Sequence, residues 1–198
     1  MERNLYLDKL IRRKNNGMIK VITGIRRSGK TYLLFELFYD YLIKSGVDKD
    51  HIIKIALDDR INKRYRDPDV LCEYVHNAVK DDDMYYVLLD EVQMVSEFED
   101  VLNSFLHIKN VDTYVTGSNA KFLSKDIITE FRGRGDQIHL FPLSFAEYML
   151  GRGIDRLQAW QEYTMYGGLP KMFEIENEED KAAYLRDIFK ETYIKDIL

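Results

Sequence analysis

Eight residues near the start of the chain constrain its fold more than any other feature. Gly24, Gly29, Lys30 and Thr31 match the P-loop pattern G-x-x-x-x-G-K-[ST], in which successive backbone amides surround an anion. Only glycine lets a chain turn this tightly and approach a ligand this closely. A lysine at this place puts its charge on the β- and γ-phosphates of a nucleotide, and the threonine hydroxyl can ligate Mg²⁺. The pattern therefore predicts a nucleotide site.

The segments that flank this loop agree with that prediction. Met18–Thr23 is a short apolar run typical of a buried strand, and it ends directly before Gly24. The residues after Thr31 repeat apolar side chains at helical spacing, and Gly46 provides a C-terminal stop. The partially positive start of such a helix would point at bound phosphates. The predicted apolar face consists of Leu33, Leu34, Leu37, Phe38, Tyr41 and Leu42.

The predicted nucleotide-binding residues are the loop itself and the first turn of the helix. An ordinary glycine turn between a strand and a helix is the alternative, and the simultaneous match at four positions argues against it. Arg26 and Arg27 occupy variable positions of the pattern, so contact with phosphates, with a neighbouring subunit or with solvent alone stays open. The set is Gly24, Ile25, Arg26, Arg27, Ser28, Gly29, Lys30, Thr31 and Tyr32.

Two acidic residues follow a second apolar run. Met84–Glu91 is typical of a buried strand that ends in two acids, Asp90 and Glu91, as in a Walker B motif. In a P-loop enzyme this aspartate helps to hold Mg²⁺, here together with Thr31, and the adjacent glutamate can deprotonate the attacking water. A solvated strand end is the alternative. We therefore predict Glu91 and Lys30 as catalytic residues, with Asp90 as a metal ligand.

Composition excludes several other classes of protein. The 198 residues carry a net charge of −5, which argues against a surface that coats nucleic acid, so a nucleic-acid partner finds no support in the charge. A single cysteine excludes an intrachain disulfide, and the four histidines show no metal-ligand spacing. We find no signal-peptide pattern and no apolar run of about 18 residues, so we expect a cytoplasmic protein that does not enter a membrane.

One local basic cluster interrupts the generally acidic sequence. It is most simply a solvated loop, and contact with a partner or with nucleic acid is the alternative. Its members are Arg60, Lys63, Arg64 and Arg66.

Strand and helix patterns alternate along the rest of the chain, which predicts a parallel sheet covered by helices on both faces. Further strands are predicted at His51–Asp59, Asp112–Asn119 and Asp136–Leu143. Helices are predicted to begin at Pro68 and at two capping boxes, Ser96 with Glu99 and Ser144 with Glu147. After residue 150 only helical patterns remain, so we expect a core at 1–150 and a helical segment at 151–198.

These separated motifs together resemble the AAA+ branch of P-loop ATPases, and more narrowly a prokaryotic AAA-domain family. The resemblance covers essentially the whole chain, through YLDKL, KVITGIRRSGKTYLL, YVLLDEVQ, VTGSN, RGR, PLSFAEY and YGGLP. It implies a three-layer α/β P-loop NTPase with a five-stranded parallel sheet in the order 5-1-4-3-2 and a small helical lid. It also implies ATP or ADP with Mg²⁺ as ligands, and a further C-terminal domain beyond Leu198.

The resemblance also suggests roles for residues outside the two motifs. Asn119, or else Ser118, would contact the γ-phosphate or the attacking water, although these residues would otherwise be a turn and a helix cap. Arg134 or Arg132 would be an arginine finger for ATP on a neighbouring subunit of a homo-oligomer, and a surface salt bridge is the alternative.

The lid segment gives a weaker signal. Gly168 and Pro170 would touch the adenine ring by the resemblance, and a simple helix break is the alternative. Arg152, Arg156 and Arg186 are the arginines available for lid-coupled hydrolysis, and no motif supports any of them. No N-K-x-D element for guanine follows the acidic pair, which favours ATP over GTP.

Two functions remain open at this point. The first is Mg²⁺-dependent ATP hydrolysis coupled to conformational change, with Glu91 as the base. The second is a slow or non-hydrolysing nucleotide-dependent switch that controls a C-terminal or partner domain. A kinase is less favoured, because a glutamate beside the metal-binding aspartate suits water better than an acceptor hydroxyl.

Overall fold

The computed structural model describes residues 3–117, 131 and 133–190, and these contain a five-stranded sheet. Every pairing within the sheet is parallel, and the strands lie in the order β2-β3-β4-β1-β5. The order confirms the arrangement 5-1-4-3-2, with β4 inserted between the P-loop strand β1 and β3, the strand that ends at Asp90. The strands are β1 (Ile19–Thr23), β2 (Ile52–Ala56), β3 (Tyr85–Asp90), β4 (Val111–Thr116) and β5 (Gly135–His139).

Helices connect the strands and continue beyond the last one. Short 3₁₀ segments lie at Lys49–His51, Arg60–Arg66, Val92–Met94 and Pro170–Phe173. Helix α2 is one continuous helix built from Lys30–Tyr32, a π-helical stretch Leu33–Phe38 and Tyr39–Lys44. The other described helices are α1 (Asn4–Arg12), α3 (Pro68–Ala78), α4 (Phe98–Phe105), α5 (Phe145–Arg152), α6 (Arg156–Tyr166) and α7 (Glu178–Phe189). In the described part of the chain, no helix is long and apolar enough to cross a bilayer.

Two apolar cores lie on opposite faces of the sheet, which gives the predicted three layers. Neighbouring residues of a strand point to opposite faces. Val87 and Leu89 therefore pack with residues of α3 and α4, whereas Leu88 packs with residues of α1 and α2. Because β3 is covered on both sides, all six of its residues are buried.

Local geometry differs from the sequence predictions at two helices. The π-helical stretch of α2 widens the helical turn and brings Phe35 into the core, although the regular spacing left this residue off the apolar face. The prediction that a helix begins with a capping box at Ser96 and Glu99 was wrong, because α4 begins only at Phe98. Glu97 precedes it with a left-handed φ of 50° and makes no capping hydrogen bond with its side chain.

The helices that follow β5 pack on one another. Arg152 of α5 forms an ion pair with Glu162 of α6 at 3.0 Å, and the Tyr148 hydroxyl donates a hydrogen bond to the same carboxylate at 2.9 Å. The predicted capping box of Ser144 and Glu147 is present at the start of α5. Since α5 runs from Phe145 to Arg152, the expected division after residue 150 falls inside a helix.

Candidate nucleotide site

The P-loop leaves the carboxyl end of β1 and leads directly into α2. Gly24 follows Thr23 with a φ of 149°, and a Cβ at this position would lie 2.3 Å from the backbone oxygen of Leu140. Gly29 has a φ of 95° and directly precedes α2. Gly24 is required because any side chain there would collide with the backbone of Leu140. Gly29 is required because residues with a side chain rarely adopt its positive φ. The loop conformation is therefore fixed by the two glycines of the motif.

Lys30 folds back over this loop. Its ammonium group donates hydrogen bonds to the backbone oxygens of Gly24 and Ile25, both at 3.1 Å. Burial lowers the pKa of Lys30, while the charges of Glu91 and Asp90 act in the opposite direction. A bound phosphate would supply the negative charge that this buried ammonium group needs.

Ser28 also fits an anion inside the loop. Its side chain is fully buried, and its hydroxyl oxygen has no hydrogen-bond partner among the described residues. The same oxygen lies 3.2 Å from the place that a Cβ on Gly24 would occupy, so it faces the tight turn at the start of the loop. A buried hydroxyl without a partner in the protein is available to bond a ligand or water. The loop residues thus fit a nucleotide phosphate.

Asp90, at the end of β3, contacts both the P-loop and β4. Thr31 donates a hydrogen bond to one carboxylate oxygen of Asp90 at 2.8 Å, and Thr116 donates to the other at 2.5 Å. Burial raises the pKa of Asp90, although both hydroxyl groups lower it in part. The result is a compact set of oxygen donors next to the phosphate loop, which is the ligand chemistry that Mg²⁺ prefers.

Glu91 lies beside this set at the end of β3. Its backbone amide donates to the Thr116 hydroxyl at 3.0 Å, and its φ of 54° places the backbone in the left-handed region. Gln93 donates a hydrogen bond from its side-chain amide to the Glu91 carboxylate. The half-buried carboxylate is thus held at the carboxyl edge of the sheet, where the P-loop also begins.

The helical segment contacts the P-loop at two places. Pro170 Cγ lies 3.7 Å from the place that a Cβ on Gly29 would occupy. The guanidinium of Arg27 lies over the ring of Tyr184, 5.0 Å from its centre, in a cation–π contact. Lid residues therefore adjoin the loop that would hold the phosphates.

A cavity of about 1050 Å³ is lined by α1, by the segment that follows β5 and by the helical segment near Gly168. One wall is Phe141–Leu143, which follows the Leu140 carbonyl that closes on Gly24, and another is Gly168, two residues before Pro170. The backbone amide of Leu143 donates to the Gly168 oxygen at 2.7 Å and joins the two walls. Residues of α1, among them Leu5 and Tyr6, complete a largely apolar lining.

Other predicted site residues lie elsewhere. Ser118, Asn119 and Arg132 are outside the described residues. Arg134 is exposed just before β5, and its carbonyl accepts a hydrogen bond from Ile19 at the beginning of β1. Arg134 therefore lies at the amino ends of the strands, whereas its own P-loop lies at their carboxyl ends, about five strand residues or roughly 16 Å away. Ile25, Arg26 and Tyr32 have exposed side chains on the loop and the first turn of α2.

Thr116 and Gln93 are site residues that the sequence predictions missed. Thr116 ends β4, and only the placement of β4 next to β3 brings its hydroxyl to Asp90. The available signal was a polar residue at the carboxyl end of a strand, which is where ligands of parallel sheets collect. Gln93 gave no separate signal beyond its position shortly after the acidic pair.

A parallel sheet in this order, a glycine-bounded anion loop after β1 and a buried aspartate at the end of β3 define a P-loop nucleotide-binding domain of the AAA+ class. A family model described as AAA domain matches residues 16–149, which is more than half of the chain. The chain therefore belongs to this family.

Sequence relatives extend the similarity to bacteria and archaea. An uncharacterized protein of Haemophilus influenzae is 32% identical over 203 residues, which cover 100% of this chain and 50% of the relative. The uncharacterized protein MJ1544 of Methanocaldococcus jannaschii is 29% identical over 196 residues, covering 91% of this chain and 42% of the relative. The chain thus spans about half the length of these relatives, or less.

Solved structures share the fold at low sequence identity. The ORC1 protein of Aeropyrum pernix, solved in complex with DNA, has a TM-score of 0.54 and 12% identity over 96% of this chain and 66% of that chain. PCH-2 of C. elegans has a TM-score of 0.52 and 17% identity over 88% of this chain and 46% of that chain. At these identities the likeness concerns the fold alone.

Proposed function

We propose that this domain binds ATP with Mg²⁺ and hydrolyses it to ADP and phosphate, and that hydrolysis is coupled to movement of the helical lid. The observation that carries the proposal is the arrangement around Asp90, which accepts hydrogen bonds from Thr31 at the end of the P-loop and from Thr116 on β4. Glu91 follows it directly in the chain. The predicted phosphate loop, metal ligand and base therefore lie next to one another at the carboxyl ends of the strands, which supports the proposal.

The P-loop residues would bind the triphosphate. Amides of the loop and the Ser28 hydroxyl would donate to phosphate oxygens, and the Lys30 ammonium would exchange its two carbonyl partners for the β- and γ-phosphates. Thr31 and Asp90 would hold Mg²⁺, which supplies positive charge to the same phosphates. Burial of Ser28, Lys30 and Asp90 makes their interactions stronger than they would be in water.

Glu91 would perform the chemical step. Its carboxylate would accept a proton from water as the water oxygen attacks the γ-phosphorus, while Lys30 stabilises the charge on the transferring group. Asn119 would contact the same water or the γ-phosphate, as the family resemblance implies. Thr116 would fix the Asp90 carboxylate relative to the backbone of Glu91, because its hydroxyl donates to the former and accepts from the amide of the latter.

The cavity of about 1050 Å³ would take the base of the nucleotide. Its lining is mainly apolar, which suits the faces of a purine, and the Gly168 wall belongs to the lid. A nucleotide that bridges the P-loop and this wall would connect the core to the helical segment. Binding and release would then change the position of the lid, together with Pro170.

A slow nucleotide-dependent switch is the second candidate. The observation that favours it is the contact of the lid with the loop itself, through Arg27 with Tyr184 and through Pro170 with Gly29. Such contacts would transmit the state of the nucleotide even if turnover were rare. The two candidates share the binding site and differ only in the contribution of Glu91.

Calorimetry of ATP–Mg²⁺ binding, combined with single-turnover hydrolysis, tests both candidates. Lys30→Ala should weaken binding about 10- to 100-fold, because a buried charge-assisted contact is lost. Glu91→Gln should retain the affinity and slow hydrolysis about 100-fold or more. Lys171→Ala and Glu174→Gln, an exposed pair on the lid, are the matched controls and should change neither.

Each result has a definite reading. Unchanged ATP binding by Lys30→Ala would contradict the nucleotide site. Equal and very slow conversion of ATP by the wild type and by Glu91→Gln, with binding intact, would reject the ATPase in favour of the switch.

A further inference from the structure

Gln93 lies three residues after Asp90, in the short 3₁₀ segment Val92–Met94 that follows β3. It is half-buried, and its side chain turns back toward the candidate site to contact Glu91. A glutamine in this short connection could equally have pointed into solvent. Its position beside the proposed base raises the question of what its amide does there.

The contact with Glu91 fixes the orientation of the Gln93 amide. An ionised carboxylate can only accept hydrogen bonds, so the amino group of Gln93 must be the end that faces it. This orientation also fixes the position of the Gln93 carbonyl oxygen, because the oxygen and the amino group are attached to the same carbon atom. Since the amino group contacts Glu91, covalent geometry keeps this oxygen close enough to the Glu91 carboxylate for one water molecule to bond to both.

This carbonyl oxygen is buried and has no hydrogen-bond partner among the described residues. A buried acceptor without a partner costs free energy, and most such atoms in folded proteins bond to water or ligand when no protein donor is present. This unpaired acceptor lies next to the base that would act on water. Glu91 and Gln93 thus present two acceptors side by side.

We propose that Gln93 is a further catalytic residue, which accepts a hydrogen bond from the water that Glu91 activates. This inference rests on the proposed ATPase function. A water molecule that donates one hydrogen to Glu91 and the other to Gln93 has its lone pairs directed away from both side chains. Two fixed acceptors would therefore orient the nucleophile, which a single acceptor cannot do.

In the reaction, the water oxygen forms a bond to the γ-phosphorus, and the bond from that phosphorus to the β,γ-bridging oxygen breaks. The electron pair of the broken bond leaves with ADP, and one water proton passes to the Glu91 carboxylate. Gln93 takes no proton. It orients the water through its carbonyl oxygen and holds the base through its amino group.

Single-turnover hydrolysis at saturating ATP–Mg²⁺, measured together with ATP affinity, tests the inference. Gln93→Leu removes both hydrogen bonds at similar volume and should slow hydrolysis about 10- to 100-fold. The affinity should change less than about twofold, because Gln93 contacts the water and the base rather than the nucleotide. Gln161→Leu, an exposed glutamine of α6, is the matched control and should hydrolyse ATP like the wild type.

A double variant separates failure of this inference from failure of the proposed function. Glu91→Gln with Gln93→Leu should be no slower than Glu91→Gln alone, because both residues act on one water. If Glu91→Gln is slow but Gln93→Leu matches the wild type, or if the two losses multiply, the role of Gln93 is wrong and the ATPase remains. If the wild type is as slow as Glu91→Gln, the ATPase and the role of Gln93 both fall.

Discussion

At the residue scale, the site keeps two buried charges that do not favour folding. Burial raises the pKa of Asp90 and lowers the pKa of Lys30, so each residue would fold more readily in its neutral form. Proteins often give up stability at sites that must bind a charged ligand. Here the ligand would be the nucleotide phosphates with Mg²⁺.

Replacing the buried carboxylate should therefore stabilise the nucleotide-free protein. Asp90→Asn should raise the Tm by about 2–4 °C, the shift that about 1 kcal/mol gives in a domain of this size. Because folding raises the pKa of Asp90, its contribution to stability is present at low pH and is lost as the pH rises through that pKa. The gain from Asp90→Asn should thus be largest at neutral pH and shrink on acidification, as thermal melts from pH 4 to 8 would report.

The same variant should lose the effect of magnesium on ATP binding. Asp8→Asn, at an exposed position of α1, is the control and should melt like the wild type at every pH. A fall in Tm at neutral pH for Asp90→Asn would show that the two threonine hydrogen bonds outweigh the burial of charge.

At the element scale, the lid contacts the core through a hydrogen bond between backbone atoms. The amide of Leu143 donates to the oxygen of Gly168, and a Cβ on Gly168 would lie 2.2 Å from the backbone oxygen of Leu143. Backbone cannot rotate away as a side chain can. The close approach of α6 and the following turn to the end of β5 therefore depends on this glycine, which also forms a wall of the cavity.

Gly168→Ala should consequently separate the lid from the core. We expect a loss of about 1–3 kcal/mol in the free energy of unfolding, as for other overpacked sites. ATP affinity should fall about tenfold because the cavity wall moves. Urea denaturation and calorimetry would measure the two effects.

Gly151→Ala is the matched control for this change. Its Cβ would lie 2.8 Å from the ring edge of Phe173, which is a side chain that can shift. It should alter stability much less than Gly168→Ala. Equal effects of the two variants would mean that the backbone contact at Leu143 is not what holds the lid.

At the scale of the whole molecule, Arg134 lies too far from its own P-loop to act there. It is exposed at the edge of the sheet where β1 and β5 begin, whereas the P-loop follows the other end of β1. A role in hydrolysis would therefore require the nucleotide of a neighbouring subunit. The prediction that Arg134 is an arginine finger is thus a prediction about assembly.

Mixing two variants tests that prediction. Arg134→Ala should bind ATP like the wild type and hydrolyse it about 1000-fold more slowly, by analogy with other arginine fingers. Mixing it with inactive Glu91→Gln should restore part of the activity, because one subunit then supplies Arg134 and the other supplies Glu91. Arg12→Ala, at an exposed position of α1, is the control and should hydrolyse ATP normally. If the mixture is only as active as the sum of the two separate variants, Arg134 does not act on the nucleotide of a neighbouring subunit.

Contiguous segments of the sequence were sufficient for the parts of the site that form locally. The P-loop glycines, Lys30 and Thr31 are adjacent in the chain, and their backbone requirements follow from residue type. Asp90 and Glu91 were recognised in the same way, because a buried strand must end at the edge of a sheet. The strand order was predicted only through the family resemblance, since hydrophobic periodicity does not specify which strands are neighbours.

Contacts between elements were decided by the tertiary structure. Thr116 reaches Asp90 because β4 lies beside β3, and Tyr184 reaches Arg27 because the lid folds back onto the loop. Hydrogen bonds and ring contacts between residues far apart in the chain depend on the register and placement of whole elements, which no short segment encodes. The sequence by itself thus determined the chemistry of the phosphate loop and the acidic pair, and packing decided which side chains surround them.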